Sequence, residues 1–198
     1  MNLRLLALGL ITMLLPACGT PVLHTAAPVG TTVRDDGLVG EWATSDTADD
    51  LQIRVIITGP KAPTSDLYPA SLSVFHKNRL SSAISLDVHI TDIGEHRYAD
   101  LFLAENERSH LAGMYGFLVV PVHQIVRIKR EGDSLDLWMF DKSWSDGEAG
   151  LAQRASINIG DRDVVLFTST SDNVRAILAQ VGQGDEAFGE RIRLIRLR

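Results

Sequence analysis

The chain has 198 residues, 45% of them hydrophobic, and a formal charge of −6 at neutral pH. This length allows one domain with a sizeable core, because domains commonly contain about 100–200 residues. A mildly acidic protein has no electrostatic reason to bind nucleic acid or anionic lipid headgroups, and we expect it to bind neither. Cys18 is the single cysteine, which excludes a disulfide within the chain.

The first predicted element is a short apolar segment from Leu5 to Leu15, preceded by Arg4. A basic start, a short apolar run and a small residue before a cleavage point are typical of a secretory signal. The run is too short to span a bilayer, which takes about 20 apolar residues. We therefore predict a signal peptide over residues 1–17.

The sequence Leu15-Pro16-Ala17-Cys18 resembles a bacterial lipobox. The resemblance implies cleavage before Cys18, a diacylglycerol on its thiol and an N-acyl chain such as palmitate on the new amino group; we expect no other cofactor. In lipoproteins with this motif, an aspartate directly after the cysteine is the signal for retention in the inner membrane, and here Gly19 stands at that position. The resemblance therefore favours the inner leaflet of the outer membrane, facing the periplasm. If the envelope has no outer membrane, it favours the cell surface. The alternatives are an ordinary secretory signal with a stray cysteine, or an uncleaved anchor.

Residues 18–37 are rich in proline, threonine and small residues and have no periodicity. We predict that they form a flexible tether between the lipidated Cys18 and the domain. The remaining residues, 38–198, are predicted to form one β domain.

Most of this domain alternates apolar and polar residues between turn signals, which is typical of β-strands. The clearest segment is residues 84–90, where Ile84, Leu86 and Val88 oppose Ser85 and Asp87. The predicted strands are residues 51–58, 68–76, 84–90, 98–104, 114–121, 124–129, 135–140 and 191–198, with 156–159 and 163–168 as two shorter candidates.

A change of period near the C-terminus predicts one helix, over about residues 171–181. Val174, Ile177, Leu178 and Val181 fall at i, i+3, i+4 and i+7, so one face is apolar. The predicted fold class is therefore all-β, an antiparallel meander of about 8–10 strands with one C-terminal amphipathic helix. We expect a complete or partial barrel, with a sandwich as the alternative.

Gly40 and Trp42, at the first strand of this meander, resemble the Gly-x-Trp motif of the lipocalins and other calycins. The resemblance implies that Gly40 and Trp42 close one end of the barrel and that an arginine near the C-terminus packs on Trp42. The order of segments from Asp87 to Phe188 is also similar to uncharacterised bacterial lipoproteins with a lipocalin-like β domain. That family implies a fold and a location but no activity.

No catalytic residue is predicted. Gly132-Asp133-Ser134-Leu135 spells the nucleophile block of the Gly-Asp-Ser-Leu hydrolases, but no histidine follows His123 to act as the base that a serine nucleophile needs. Because Gly and Asp are favoured in hairpin turns, we predict a turn there.

Two further clusters are candidate sites. Asp87, His89 and His96 could converge across the Gly94 turn, but such residues are common on exposed strand faces, and we predict no metal. Carboxylates near two tryptophans could serve a glycosidase, although most of them fall in predicted turns: Asp133, Asp136, Asp141 and Asp146, with Trp138 and Trp144.

The sequence thus predicts a membrane-anchored lipoprotein whose domain binds a small apolar ligand or an envelope component without catalysis. The residues proposed to line the mouth of the barrel are Tyr98, Phe102, Trp138 and Phe140. The alternatives are an accessory subunit of an envelope complex and, less favoured, a hydrolase.

Overall fold

The computed structural model describes residues 19–45, 50–62, 64–109, 122–140, 153–159, 162–181 and 187–197. The strands are β1 (Pro21–Val22), β2 (Gly40–Thr44), β3 (Leu51–Ile57), β4 (Leu67–His76), β5 (Arg79–Ile93), β6 (His96–Leu103), β7 (His123–Glu131), β8 (Ser134–Phe140), β9 (Arg154–Ile159), β10 (Arg162–Phe167) and β11 (Phe188–Arg196). A 3₁₀ helix spans Asp36–Leu38, helix α1 spans Ser171–Val181, and residues 105–109 form a helical turn.

Eight strands form a closed antiparallel barrel. Strands β2 to β8 pair in chain order, and β11 pairs with both β8 and β2 to complete the ring. The all-β class, the antiparallel meander and the lipocalin-like barrel predicted from the sequence are therefore confirmed. Helix α1 also has the predicted bounds, and Thr170 caps it, since the Thr170 carbonyl accepts from the backbone N–H of Val174.

The barrel has two ends, between which the connections alternate. At the lower end lie the 3₁₀ helix and the connections at residues 58–66, 94–95 and 132–133. At the upper end, β2, β4, β6 and β8 end, and β3, β5, β7 and β11 begin. Among the described residues, no helix is both long and apolar enough to cross a bilayer.

The inside of the barrel holds one hydrophobic core, called here the interior core. Alternate residues of a strand point to opposite faces of the sheet, and all eight barrel strands send one set inward. An eight-stranded barrel is just wide enough for such side chains to fill it. The interior core includes Trp42, Val55, Tyr68, Val88, Ala99, Val126, Leu135 and Leu194.

A second core lies outside the barrel wall, between the wall and α1, and is called here the outer core. The predicted apolar face of α1 packs here, together with the outward side chains of β6 to β8. Strand β1 extends the wall by pairing antiparallel to the start of β7 and parallel to β10, which pairs with β9. The outer core contains Val22, Ala26, Ile93, Tyr98, Ile125, Phe140, Phe167, Val174, Ile177, Leu178, Val181, Ala187 and Phe188.

The prediction of a flexible tether is wrong for residues 19–37, because this segment packs on the barrel. Thr20, Val22 and Ala26 are almost fully buried, and the backbone N–H of Thr20 donates to the Phe140 carbonyl. Residues 20–33, called here the N-terminal strap, reach β5, where the Val33 N–H donates to the Ile90 carbonyl. The strap is irregular and so has no periodicity, and its small residues suit close packing under α1.

Several strands extend beyond their predicted bounds. Strand β5 runs from Arg79 to Ile93 and forms a long hairpin with β4 across the turn at Lys77 and Asn78, which have the positive φ angles of a tight turn. The first barrel strand, β2, begins at Gly40 and contains Trp42. The strand predicted over residues 114–121 lies outside the described residues.

Candidate functional site

The lower end of the barrel is built around Trp42. Its ring is fully buried, and its indole N–H donates to the Leu38 carbonyl at 2.9 Å. The guanidinium of Arg196 lies 4.2 Å from the Trp42 ring centroid and donates to the carbonyls of Val39 and Gly37. Arg196 therefore joins the tryptophan to the 3₁₀ helix that crosses this end.

Gly40 is required by the same arrangement. Its φ of +148° disfavours a side chain, and a Cβ there would lie 2.5 Å from Nη1 of Arg196. The Gly-x-Trp spacing thus leaves room for the arginine on the tryptophan. The sequence did not identify which C-terminal arginine takes this position.

The four aromatic residues proposed as ligand-binding do not line the barrel interior. Tyr98 and Phe102 alternate with the interior residues Ala99 and Leu101, and therefore point outward. Trp138 and Phe140 do the same on β8. This part of the prediction is wrong because β6 to β8 carry large side chains on both faces, and the sequence does not say which face is inside.

One of these residues, Trp138, packs together with Phe188 on a buried cation. The guanidinium of Arg127 lies 4.8 Å from the ring centroid of Trp138 and 4.4 Å from that of Phe188. Nearby, Tyr98 is fully buried and its hydroxyl donates to the Leu178 carbonyl. Burial raises the pKa of Tyr98 to about 12, although Arg127 opposes this effect. These contacts hold α1 against the barrel wall, and protein side chains occupy the space around Arg127 where a ligand was expected.

Asp100 is the most deeply buried carboxylate described. Its Oδ2 accepts from Thr25 Oγ1 at 2.5 Å and from the Ala26 N–H at 2.9 Å. Its Oδ1 lies 2.7 Å from Nδ1 of His123, which is half-buried. Three partners thus satisfy a carboxylate with no exposed surface. This group was not predicted from the sequence, although an aspartate within an otherwise apolar strand was the available signal.

Phe102 lies between two histidines beside this network. Its ring centroid is 5.6 Å from that of His89 and 5.2 Å from that of His123. His96 is remote from both, since it pairs with Ile93 at the lower end of β5, whereas His89 pairs with Asp100. Asp87, His89 and His96 therefore do not converge. Among the described residues, no group of three or more histidine, cysteine or acidic side chains is placed to hold a metal ion.

An Asp–His pair orients the base in many hydrolases, but the serine suggested by the sequence is distant. Ser134 follows the β7–β8 turn at the lower end, whereas His123 begins β7 at the upper end. Gly132 has a φ of +60°, and residues 132–133 form the predicted turn.

In the predicted carboxylate cluster, the two aspartates that the structure describes, Asp133 and Asp136, lie beside arginines. Both oxygens of Asp136 accept from Arg193, at 2.7 and 2.8 Å, and this pairing lowers the pKa of Asp136. Asp133 lies 3.8 Å from Arg196. Asp141, Asp146 and Trp144 lie outside the described residues. The described pair has the geometry of a structural salt bridge.

An open groove of about 550 Å³ crosses the outer wall of β3 to β5. Lys61 contributes from the connection after β3, Asp87 from β5 and Glu105 from the helical turn after β6. Its other lining residues include hydroxyls and apolar side chains: Thr58, Ser65, Ser71, Ser85, Ile56, Leu67 and Pro69. A much smaller depression, about 10 Å³, lies in the outer core beside Leu178 and Phe167.

Comparisons of this chain with family models, with curated proteins and with solved structures returned no match.

Proposed function

We propose that this protein is a lipid-anchored component of the bacterial cell envelope that binds a partner without catalysing a reaction. The lipobox-like sequence that ends at Cys18 supports the anchor. The partner is an envelope component with both apolar and hydrogen-bonding groups, such as an extended peptide segment, bound on the outer wall of the barrel.

The position of the groove is the observation that carries this proposal. Large side chains fill the described interior, and the groove of about 550 Å³ lies outside. Its volume falls within the roughly 300–1,000 Å³ of typical ligand sites. The groove presents apolar side chains together with hydroxyls, one lysine and two carboxylates, a mixture that suits an extended peptide segment with both apolar and polar side chains.

Site-specific photo-crosslinking in intact cells tests the binding site. Ser71→p-benzoylphenylalanine places the probe in the groove, and Ser156→p-benzoylphenylalanine on β9 is the exposed control. We expect one discrete light-dependent adduct from position 71 and none from position 156. Adducts of equal yield at both positions, or none at position 71, would contradict binding in the groove.

Two measurements test the rest of the proposal. The intact mass should include the diacylglycerol and acyl chains, and Cys18→Ala should remove that mass and release the protein from membranes. Organic extraction of the purified protein should yield no stoichiometric apolar compound beyond the covalent lipid. Such a compound would instead favour a ligand enclosed by the barrel.

A further inference from the structure

The N-terminal strap fixes the point at which the lipid joins the domain. Gly19 lies directly against Gln124, the second residue of β7, since a Cβ on Gly19 would be 2.4 Å from Nε2 of that side chain. The next residue, Thr20, is buried and bonded to the end of β8. The described chain therefore starts at the upper end of the barrel, opposite Trp42 and the 3₁₀ helix.

The connection between the lipid and the barrel is short. An extended chain spans at most about 3.6 Å per residue, so a lipid on Cys18 starts within about 7 Å of Thr20. A long flexible tether would let the domain take any orientation, but two residues do not. An acylated Cys18 thus places the upper end of the barrel next to the bilayer.

The same end exposes apolar side chains. Leu80, at the start of β5, is 59% exposed. Leu51, the first residue of β3, and Val122, which precedes β7, are also exposed. Scattered exposed leucines need no explanation, but these three share the end that the lipid anchor brings to the membrane. Transfer of apolar side chains from water into the boundary between lipid headgroups and acyl chains is favourable.

Cations accompany these residues at the tip of the β4–β5 hairpin. Lys77 and Arg79 are exposed next to Leu80, with Asp50 close by because its carbonyl accepts from the Lys77 N–H. Basic groups at a membrane surface are attracted to anionic lipids. The net charge of −6 gave no reason to expect this, because it averages over the whole chain.

We propose that the upper end of the barrel docks on the membrane surface, with Leu80 and its hairpin tip in contact with lipid. This inference rests on the proposed lipid anchor at Cys18. The docking turns the lower end, with Trp42 and Arg196, away from the bilayer. It also fixes the direction from which a partner reaches the groove on β3 to β5.

Fluorescence quenching in vesicles tests this orientation. The full acylated protein, with His76→Cys or Glu95→Cys labelled with an environment-sensitive fluorophore, is reconstituted into vesicles of phosphatidylethanolamine and phosphatidylglycerol that contain spin-labelled lipid. These two exposed positions lie beside the two ends of β5 and form a matched pair. We expect quenching several-fold stronger at position 76. Equal quenching, or stronger quenching at position 95, would overturn the docking.

Two charge variants separate docking from anchoring. Lys77→Glu should reduce quenching at position 76 while the protein still floats with the vesicles, and Lys129→Glu, at an exposed position near the lower end, should leave quenching unchanged. Equal effects of the two variants would also count against docking by the hairpin tip. If the mass shows no acyl chains, both the anchor and the docking fail. An acylated, floating protein without the position effect overturns the docking alone.

Discussion

The interior core and the outer core share the same barrel wall but are built in different ways. The interior core draws every second residue from eight strands, and nearly all of its members are apolar. The outer core joins the outer face of the barrel wall to α1 and the strap, and buried polar groups lie beside it, including Asp100, Thr91 and Arg127. Regular alternation is enough for the first core, whereas the second needs specific hydrogen bonds to hold an irregular segment in place.

This difference explains where polar chemistry is found in the molecule. A barrel interior of this size leaves little room for solvent, so a polar group there would need a partner of its own. The outer layer supplies such partners through the strap and α1. Arg175 illustrates this, because its guanidinium donates to the Ala26 carbonyl of the strap and to the Thr91 hydroxyl of β5.

The largest expected effect is in the interior core. Trp42→Ala should lower the free energy of unfolding by about 4 kcal/mol, because it leaves a cavity and removes the ring beneath Arg196. Urea unfolding followed by circular dichroism measures the change. Trp42→Phe, which keeps an aromatic ring, should lose clearly less. Similar losses for both variants would show that the indole N–H bond, and not packing, dominates at this position.

A matched pair of leucines compares the two cores directly. Leu194→Ala in the interior and Leu178→Ala in α1 should each cost about 3 kcal/mol, since both side chains are almost fully buried. Hydrogen exchange should distinguish them. The interior variant should accelerate exchange throughout the barrel, whereas the α1 variant should do so mainly in α1 and the strap. Uniform acceleration in both variants would mean that the two cores unfold as one unit.

The carboxylate that holds the strap should have a smaller effect. Asp100→Asn removes the charge that accepts from Thr25 and Ala26, and hydrogen bonds to charged groups contribute about 1.5–3 kcal/mol. We expect a loss of about 2 kcal/mol and faster proteolysis within the strap. Asp87→Asn, on the outer face of β5, is the control and should change stability by less than about 0.5 kcal/mol. An unchanged rate of cleavage in Asp100→Asn would remove Asp100 as the anchor of the strap.

The sequence predicted the parts of the fold that follow a period. Alternation located β3 to β8 and β11, and the helical spacing of Val174 to Val181 located α1. It also predicted Gly40 and Trp42 as a structural pair, although not the partner Arg196. Regular patterns are readable because each residue's environment repeats along the element.

The strap and the Asp100 network were not predictable in the same way. The strap has no repeat, so its proline and small residues favoured a flexible tether. Asp100 accepts a hydrogen bond from Thr25, which is 75 residues away in the chain, and local sequence does not specify such a contact. Tyr98 and Phe102 were assigned to the wrong face because alternation separates two faces without saying which is inside, and here both are covered.

The smallest effect concerns the pH dependence of the outer core. Tyr98→Phe removes the hydrogen bond to the Leu178 carbonyl, and it should lower the free energy of unfolding by about 1 kcal/mol near neutral pH. The pKa of Tyr98 is raised from 10.0 to about 12 in the folded protein. Its contribution to stability is therefore complete below pH 10 and is lost as the pH rises toward 12, because only the unfolded state releases the proton in that range.

A shift from 10.0 to about 12 corresponds to roughly 2–3 kcal/mol, which exceeds the hydrogen bond lost at neutral pH. The stability difference between wild type and Tyr98→Phe should therefore close and then reverse between pH 10 and 12. Urea unfolding of both proteins across this range gives the difference in the free energy of unfolding. The lysines and the remaining tyrosines titrate equally in both proteins and cancel from it. A difference that stays constant with pH would mean that the Tyr98 hydroxyl reaches water in the folded state. Tyr98 would then lie in an outer core that opens at α1 while the interior core stays closed.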